Sequence, residues 1–496
     1  MGKQYKPWNP EQAFLLPPSP LEWLPEGHLA HFILDVVSEL DLTAIEDVLK
    51  AKDPRGTRPY NPVMMTALLL YGYCVGVFSS RKLERATYED VAFRVLSGGN
   101  HPDHSRIAKF RRVHLEALRG LFLQVVKLCQ HAGMVKLGHV AIDGTKLQAN
   151  ASKHKAMSYE RMLQMELRLQ EEIDALLARA EEVDASEDAR YGSGGRAEDL
   201  PAELRRREQR LARIREAKAR LEAEAAEARA RTLRTQAHRA REKSGNDSVG
   251  ESERKRAATH AQKRAAAARD LVAGREDDDI DRPTTPEGLP MHEPKANTDG
   301  TPDAKAQMNF TDGDSRILES QGGFVQGYNC QAAVDDANQV IVAEALTNQS
   351  PDNGNLIPML EQVVDNCGDA PTSATADTGY WNAQVEAAAA ELGTEAYVAT
   401  ERRKHWANDD TVTKGPPPPE AGPRDRMQHR LRTEQGQATY ALRKGTVEPV
   451  FGQIKEARGY RRFLLRGLSG AAGEWSLLCT GHNLLKLFRF RMAAAA

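Results

Sequence analysis

Between about Lys155 and Gly322 the chain reads as a charged, polar insertion between two globular stretches, and this gap dictates how the rest must fold. Met162, Met165, Leu169, Ile173 and Leu176 recur at spacings of three and four. After a break at Tyr191–Gly195, Leu204, Leu211, Ile214 and Leu221 do the same among dense Arg, Glu and Ala. The spacing predicts two long charged helices, most simply an antiparallel coiled-coil hairpin over residues 156–242. Residues 243–320 are poor in apolar side chains. They hold the polar stretch 243–247, the acidic run Glu276–Asp281 and the Pro-rich stretch Pro283–Pro302, and they read as a polar linker. A domain begun before residue 156 must therefore be completed after residue 320. The charges of the insertion fit a spacer or a protein-interaction surface better than chemistry.

The two sides of the gap share a pattern. Before it, Val140, Ala141 and Ile142 run into Asp143 and Gly144. We expect a short buried strand that delivers Asp143 to its exposed end, where the glycine lets the backbone turn. After it, Gly327–Val334 and Gln339–Leu346 read as two strands joined by a turn at Asp335–Asn338. Leu356–Val364 has helical spacing. Thr372–Ala376 is a run of small residues that again ends on an aspartate, Asp377, with Gly379 just beyond. An Ala-rich helix over 383–392 and a strand over Glu395–Thr400 follow. The order predicts an α/β domain with a mixed sheet, in two pieces, 136–155 and 321–496.

The N-terminal region, residues 1–135, reads as all-α after a Pro-rich, extended start over residues 1–30. Phe32, Ile33, Val36 and Val37, and later Leu118, Leu121, Phe122 and Val125, fall at helical spacing. The apolar run Met65–Phe78 is shorter than the roughly 20 residues that cross a bilayer, and reads as a core helix. Thr87 is placed to start one helix, and Ser105 to cap a second that carries Arg106, Lys109, Arg111 and Arg112 on an exposed face. Helix, turn at Gly98–Pro102 and basic helix are compatible with a helix-turn-helix, and equally with an ordinary helical hairpin.

Net charge is -2, with 68 Lys and Arg against 70 Asp and Glu. That excludes a uniformly basic binder but not local basic surfaces: residues 421–491 hold 14 Lys and Arg against 5 Asp and Glu. Mean hydropathy of -0.58 fits the charged insertion. The five cysteines are scattered without a C-x-x-C pair, so a disulfide framework or zinc module is not expected. With no signal-peptide pattern at the N-terminus, the expected location is the cytoplasm and no membrane partner is expected.

Glu448 completes a set with Asp143 and Asp377: an acid in a basic, mostly helical segment. Three carboxylates from two strand ends and a helix can hold two divalent cations about 4 Å apart, and the basic surroundings can bind phosphates that the acids alone would repel. The segments Val140–Ser152, Gly327–Val334, Ala376–Trp381, Val447–Lys455 and Arg461–Gly467, in this order, resemble bacterial insertion-sequence transposases of the DDE class. The resemblance covers the N-terminal helical region and the whole core. It implies a ribonuclease H-like catalytic core interrupted by the coiled-coil insertion, and an N-terminal DNA-binding domain. It also implies two Mg²⁺ (or Mn²⁺) ions held by the catalytic acids Asp143, Asp377 and Glu448. The activity implied is cleavage of double-stranded DNA at the element's terminal inverted repeats and joining to a target, by a homodimer on DNA. A ribonuclease H-like nuclease without strand transfer, or a non-catalytic DNA-binding or coiled-coil scaffold, are the alternatives.

The family's Tyr-x2-Arg-x3-Glu-x6-Lys signature maps onto Tyr440, Arg443, Glu448 and Lys455 except at one gap. Four residues separate Arg443 from Glu448, and Lys444 has the expected spacing, so either fills the basic position. Pro449 predicts that a helix begins or kinks at Glu448. With these residues, Arg458, Arg461, Arg462 and Arg466 are expected to contact DNA. Asp335, Asp336 and Asp352 read as turn and cap residues. His139, His154 and His482 read as packing or hydrogen-bonding groups, and Tyr380 and Trp381 as core residues.

Overall fold

The computed structural model describes residues 19–51, 58–191, 202–246, 248–272, 281–320, 323–401 and 412–495. The Pro-rich start up to residue 18, most of the break after Tyr191, the acidic run up to residue 280 and residues 402–411 lie outside the described residues. The chain divides into two compact units: Met1–Met134 with Glu456–Gly459 and Leu477–Ala496, and Val135–Lys455 with Tyr460–Ser476. The sequence reading gave all of 321–496 to the catalytic domain. The division instead gives most of the last helix to the helical unit.

In the helical unit, α1 (Leu29–Glu39), α2 (Thr43–Lys50), α3 (Pro62–Val75), α4 (Ser80–Glu89), α5 (Val91–Leu96), α6 (His104–Val113) and α7 (Leu115–His131) enclose an apolar core. α3 shows why its sequence is helical. The Asn61 side chain accepts from Val63 N and Met64 N, Pro62 sits in the first turn, and Gly76 ends the helix at φ 85°. Its interior is apolar all round because it is buried from Met65 to Cys74. Among the described residues no single helix is long and apolar enough to cross a membrane.

Two expected caps are displaced. Thr87 lies inside α4, and Asp90 caps α5 by accepting from Ala92 N and Phe93 N. Asp103, not Ser105, caps α6. Two expected DNA contacts are corrected as well. Arg111 is 2% exposed; it donates to the Phe78 carbonyl and to Ser80 Oγ and lies over the Tyr73 ring. Arg458 is 9% exposed and donates to the carbonyls of Tyr73 and Leu478. A buried guanidinium is held by such acceptors because leaving them unpaired would cost several kcal/mol. These two arginines fasten the helical unit together and are not offered to a partner. Arg106, Lys109 and Arg112 are exposed.

In the second unit the strands are β1 (His139–Gln148), β2 (Ala156–Ser158), β3 (Gln307–Asn309), β4 (Arg316–Ser320), β5 (Gly323–Asp335), β6 (Val340–Thr347), β7 (Ser373–Ala376) and β8 (Glu395–Val398). β5 is long enough to pair with β1 along one edge and with β4 and then β6 along the other, all antiparallel. β7 joins the free edge of β1 in parallel, and β8 joins β7 in parallel. The result is a mixed sheet, as expected. β1 is the strand at which it switches from antiparallel to parallel pairing.

Among the described residues, the gap between β2 and β3 holds the two expected helices α8 (Tyr159–Tyr191) and α9 (Ala202–Gly245), and a further one, α10 (Glu251–Leu271). α8 and α9 run antiparallel. Arg207 pairs with Glu172, while Arg215 and Lys218, further along α9, pair with Glu166, earlier in α8. Met162, Leu169, Ile173, Leu204, Leu211, Ile214 and Leu221 share one buried cluster. The linker assignment is corrected, since residues 251–271 form α10 and residues 307–320 contain β3 and β4. α10 buries Ala257, Ala261, Ala265 and Ala268. Alanines at spacings of four and three make a helix-packing face, but one too small to register as an apolar stripe. The remaining helices of this part are α11 (Leu356–Cys367), α12 (Val385–Glu391), α13 (Pro423–Arg432) and α14 (Glu434–Gly452), and α15 (Leu468–Ala495) ends the chain. All five cysteines are free and buried.

Candidate active site

Asp143 is not at a strand end. β1 continues to Gln148, paired with β5 throughout, and Gly144 is an ordinary extended strand residue. What ends nearby is the partner. β7 pairs with β1 only from His139 to Ala141, and its last residue is Ala376. Asp143 thus lies where the sheet opens beside the carboxyl end of a parallel strand, the usual place for a ligand crevice in mixed α/β sheets. Ala141 stands opposite Thr375; two residues further on lie Asp143, still within β1, and Asp377, one residue past the end of β7. The insertion that separates these acids in sequence is looped out between β2 and β3. Asp377 caps the turn Thr378–Tyr380 by accepting from Gly379 N at 2.7 Å.

Glu448 arrives on α14. This helix does not begin at Glu448: it runs from Glu434 to Gly452 with Pro449 inside it. A proline leaves the carbonyl four residues earlier without a donor. Here that carbonyl, Gly445 O, accepts instead from Gln339 Nε2 at 2.9 Å. Arg443 comes from the same helix. Its Nη1 donates to Asp143 Oδ2 at 3.2 Å, its Nη2 lies 4.0 Å from Glu448 Oε1, and its guanidinium lies 5.9 Å from the Tyr440 ring centre. Lys444 is exposed on the neighbouring face, so Arg443 is the one that turns to the acids. Lys455 is half-buried in the π-helical turn Gln453–Ala457 that follows. Arg461, Arg462 and Arg466 are exposed; Arg462 and Arg466 hold Asn150, just past β1.

The electrostatics are uneven. Burial pushes the Asp143 carboxyl up, Arg443 pulls it down, and Asp377 and Asp352 push it up again, leaving it at about 6. Burial by itself would lower Arg443. The charges of Asp143, Asp377 and Glu448, with Tyr440, override it and hold the guanidinium charged. Arg443 therefore gains from several acids, while Asp143 has one cation against two like charges.

A fourth carboxylate, Asp352, belongs to this cluster, which the turn reading missed. It accepts from Asn329 Nδ2 at 2.7 Å, Gln331 Nε2 at 2.8 Å and Lys146 Nζ at 3.2 Å. Gly379 lies against both Asp352 and Asp377, and a Cβ there would stand 3.0 Å from Asp377 Oδ1 and 3.3 Å from Asp352 Oδ2. Gly144 is required for close approach. A Cβ on it would meet the Gln331 amide, Asp352 Oδ1 at 2.7 Å and Asn329 Oδ1 at 3.0 Å. Gln331 continues the network. Its side-chain oxygen accepts from the buried Tyr380 hydroxyl, and its backbone carbonyl accepts from Trp475 Nε1 at 3.0 Å. The sequence held a signal for this. Asn329 and Gln331 occupy alternate positions of a core strand, and buried amides require polar partners. His139, by contrast, is tied to Ser373 and Thr375 and plays a structural part, as Asp335 does at Lys136 N and Leu137 N.

The donor set suits a hard divalent cation: carboxylate oxygens, with no imidazole or thiol among them. Arg443 bridges two of these acids, Asp143 and Glu448. Among the described residues, the set of three ligand atoms lying within 4.8 Å of one another is Glu84, Asp103 and His104, in the helical unit. That set is already occupied, because His104 Nδ1 pairs with Glu84 at 2.8 Å and Asp103 caps α6.

Comparison with known families matches residues 417–488 to a Transposase DDE domain and residues 19–113 to a Transposase domain (DUF772). Both matched segments are thus similar to transposase domains, which supports an insertion-sequence transposase of the DDE class. The first match covers α14 with Glu448 and Arg443, and the second covers α1 to α6. No curated protein and no solved structure matches the chain. A Transposase DDE domain implies a DNA-transposition enzyme, and such enzymes generally use divalent metal.

Proposed function

We propose that this transposase binds the terminal inverted repeats of its element, cuts the DNA at each end and joins the freed ends to a target. The acids Asp143, Asp377 and Glu448 hold two Mg²⁺ (or Mn²⁺) ions. The observation that carries this reading is the position of Asp143 and Asp377 at one level of adjacent parallel strands, faced by Glu448 and Arg443 on one helix. Such a sheet, four antiparallel-paired strands (β4, β5, β6 and β1) extended by two parallel ones with acids at the switch, supports the ribonuclease H-like core that the resemblance implies.

Bound there, the metal pair supplies a more acidic attacking hydroxyl and a stabilised leaving oxygen for in-line displacement at a phosphodiester. The protein's own groups do the remaining work. The desolvated Asp143 is costly to ionise alone and so favours a cation beside it. Arg443, held charged with Tyr440 against it, presents planar donors to a phosphate oxygen. Asp352 keeps Lys146, Asn329 and Gln331 in place beneath Asp143. Arg461, Arg462 and Arg466 near Asn150 take phosphate contacts on the DNA, as do Arg106, Lys109 and Arg112 of the helical unit. A homodimer holds two ends together.

The test is a strand-transfer assay with paired element ends and a target plasmid in Mg²⁺ or Mn²⁺. Joined products from wild type and none from Asp143→Asn or Glu448→Gln are expected. Cleavage without joining would instead establish a nuclease on this site. Cleavage by D143N at the wild-type rate would remove Asp143 from the site.

A further inference from the structure

A second basic surface lies in the same unit as the acids, on the insertion. A groove of about 540 Å³ is lined by His154, Lys155, Arg161, Arg206, Arg210 and Arg213, and no acid lines it. Its walls are fixed. β2 pairs with β3, Asn309 Nδ2 donates to Ser152 O at 2.8 Å, and Phe310 N donates to Lys155 O at 3.1 Å. Met157, Met308, Leu211 and Ile214 lock α9 against these strands from beneath.

On α9, Arg207, Arg215 and Lys218 are paired with Glu172 and Glu166 of α8, and Arg220, two turns beyond Arg213 along the same edge, is paired with Glu224 and Asp314. Arg206, Arg210 and Arg213 are exposed and make no ion pair with any described residue. Their spacing of four and three aligns them along roughly 10 Å of one helix edge. Three unpaired arginines in a row on one helix edge, facing a basic turn, are matched to a polyanion.

We propose that this groove binds the phosphodiester backbone of double-stranded DNA, on the same duplex whose scissile phosphate enters the active site. The proposal rests on the DNA-cutting reading of that site. Ten residues of chain link Asp143 to Lys153, at most about 36 Å fully extended. The groove is therefore within about one duplex turn of the acids, which one bound duplex can span. The contact is to phosphates and carries no base sequence, so it adds affinity and register rather than choice of site.

The experiment measures binding of a duplex of arbitrary sequence to the full-length protein, without divalent metal, as a function of salt. Each phosphate contact contributes about 0.9 to the slope of log affinity against log salt. R206Q/R210Q/R213Q is expected to make the slope shallower by about 2.7, each single substitution by about 0.9, and R206K/R210K/R213K to keep the wild-type slope. Urea midpoints are recorded alongside, and the single variants keep the test decisive if the triple variant is destabilised. A wild-type slope in the glutamine variants overturns the groove and leaves the cleavage reading standing. A shallower slope in a protein that never cuts DNA in Mg²⁺ supports the groove and overturns the cleavage reading. A wild-type protein with no salt-dependent duplex binding overturns both.

Discussion

Replacing Asp143 by Asn should make the protein inactive and more stable. The carboxyl is displaced from 3.8 to about 6 because burial, Asp377 and Asp352 outweigh the attraction of Arg443. At 1.36 kcal/mol per pH unit, the ionised form is disfavoured in the folded state by roughly 3 kcal/mol. That figure already includes what Arg443 gives back, and an Asn oxygen at the same place still accepts from Arg443 Nη1. The sign follows from proton binding. Between pH 4 and 6 the folded protein holds the Asp143 proton that the unfolded chain has released, so wild-type stability falls as pH rises. The penalty is complete above about pH 6 and absent below about pH 4. D143N should therefore be more stable than wild type by up to about 3 kcal/mol at pH 7.5 in EDTA, with the gap closing towards pH 4. Urea denaturation at pH 4.5 and 7.5 reads it directly, and strand cleavage in Mg²⁺ is followed in parallel. A D143N protein no more stable than wild type at pH 7.5, or a gap that does not depend on pH, would refute the account of Asp143 as a desolvated acid in need of a cation.

Asp352→Ala strands Lys146, Asn329 and Gln331, whose donors meet at this acid, so urea denaturation should show a loss of about 3 kcal/mol and cleavage should fall with it. Gly144→Ala drives a methyl into Gln331, Asp352 and Asn329; a loss of about 1–3 kcal/mol is expected by the same measurement, and an unchanged midpoint would mean that the network is not tight. Arg443→Gln removes the one charge that lowers Asp143, so the carboxyl should titrate above 6. The acidic limb of the Mg²⁺-dependent cleavage profile should then move to higher pH, whereas Arg443→Lys should keep it near the wild-type position.

The sequence by itself determined the pieces that depend on local pattern. The hairpin of β5 and β6, the helix α11, the strands β7 and β8 and the charged pair α8 and α9 follow from apolar period and turn residues, which act within a few positions of themselves. The family resemblance drew attention to Asp143, Asp377 and Glu448. The tertiary structure decided whatever depends on a distant partner. Whether Arg443 or Lys444 faces the acids depends on the rotation of α14 against β1, and Pro449 is tolerated in that helix because Gln339, far away in sequence, covers Gly445 O. Arg111 and Arg458 resemble surface cations in sequence and are buried because carbonyls elsewhere in the chain receive them. Asp352 resembles a turn residue until Lys146, Asn329 and Gln331 are folded onto it. The stretch around Asp143 keeps its expected strand but not the expected strand end: Asp143 can reach a ligand not because β1 stops, but because β7 does.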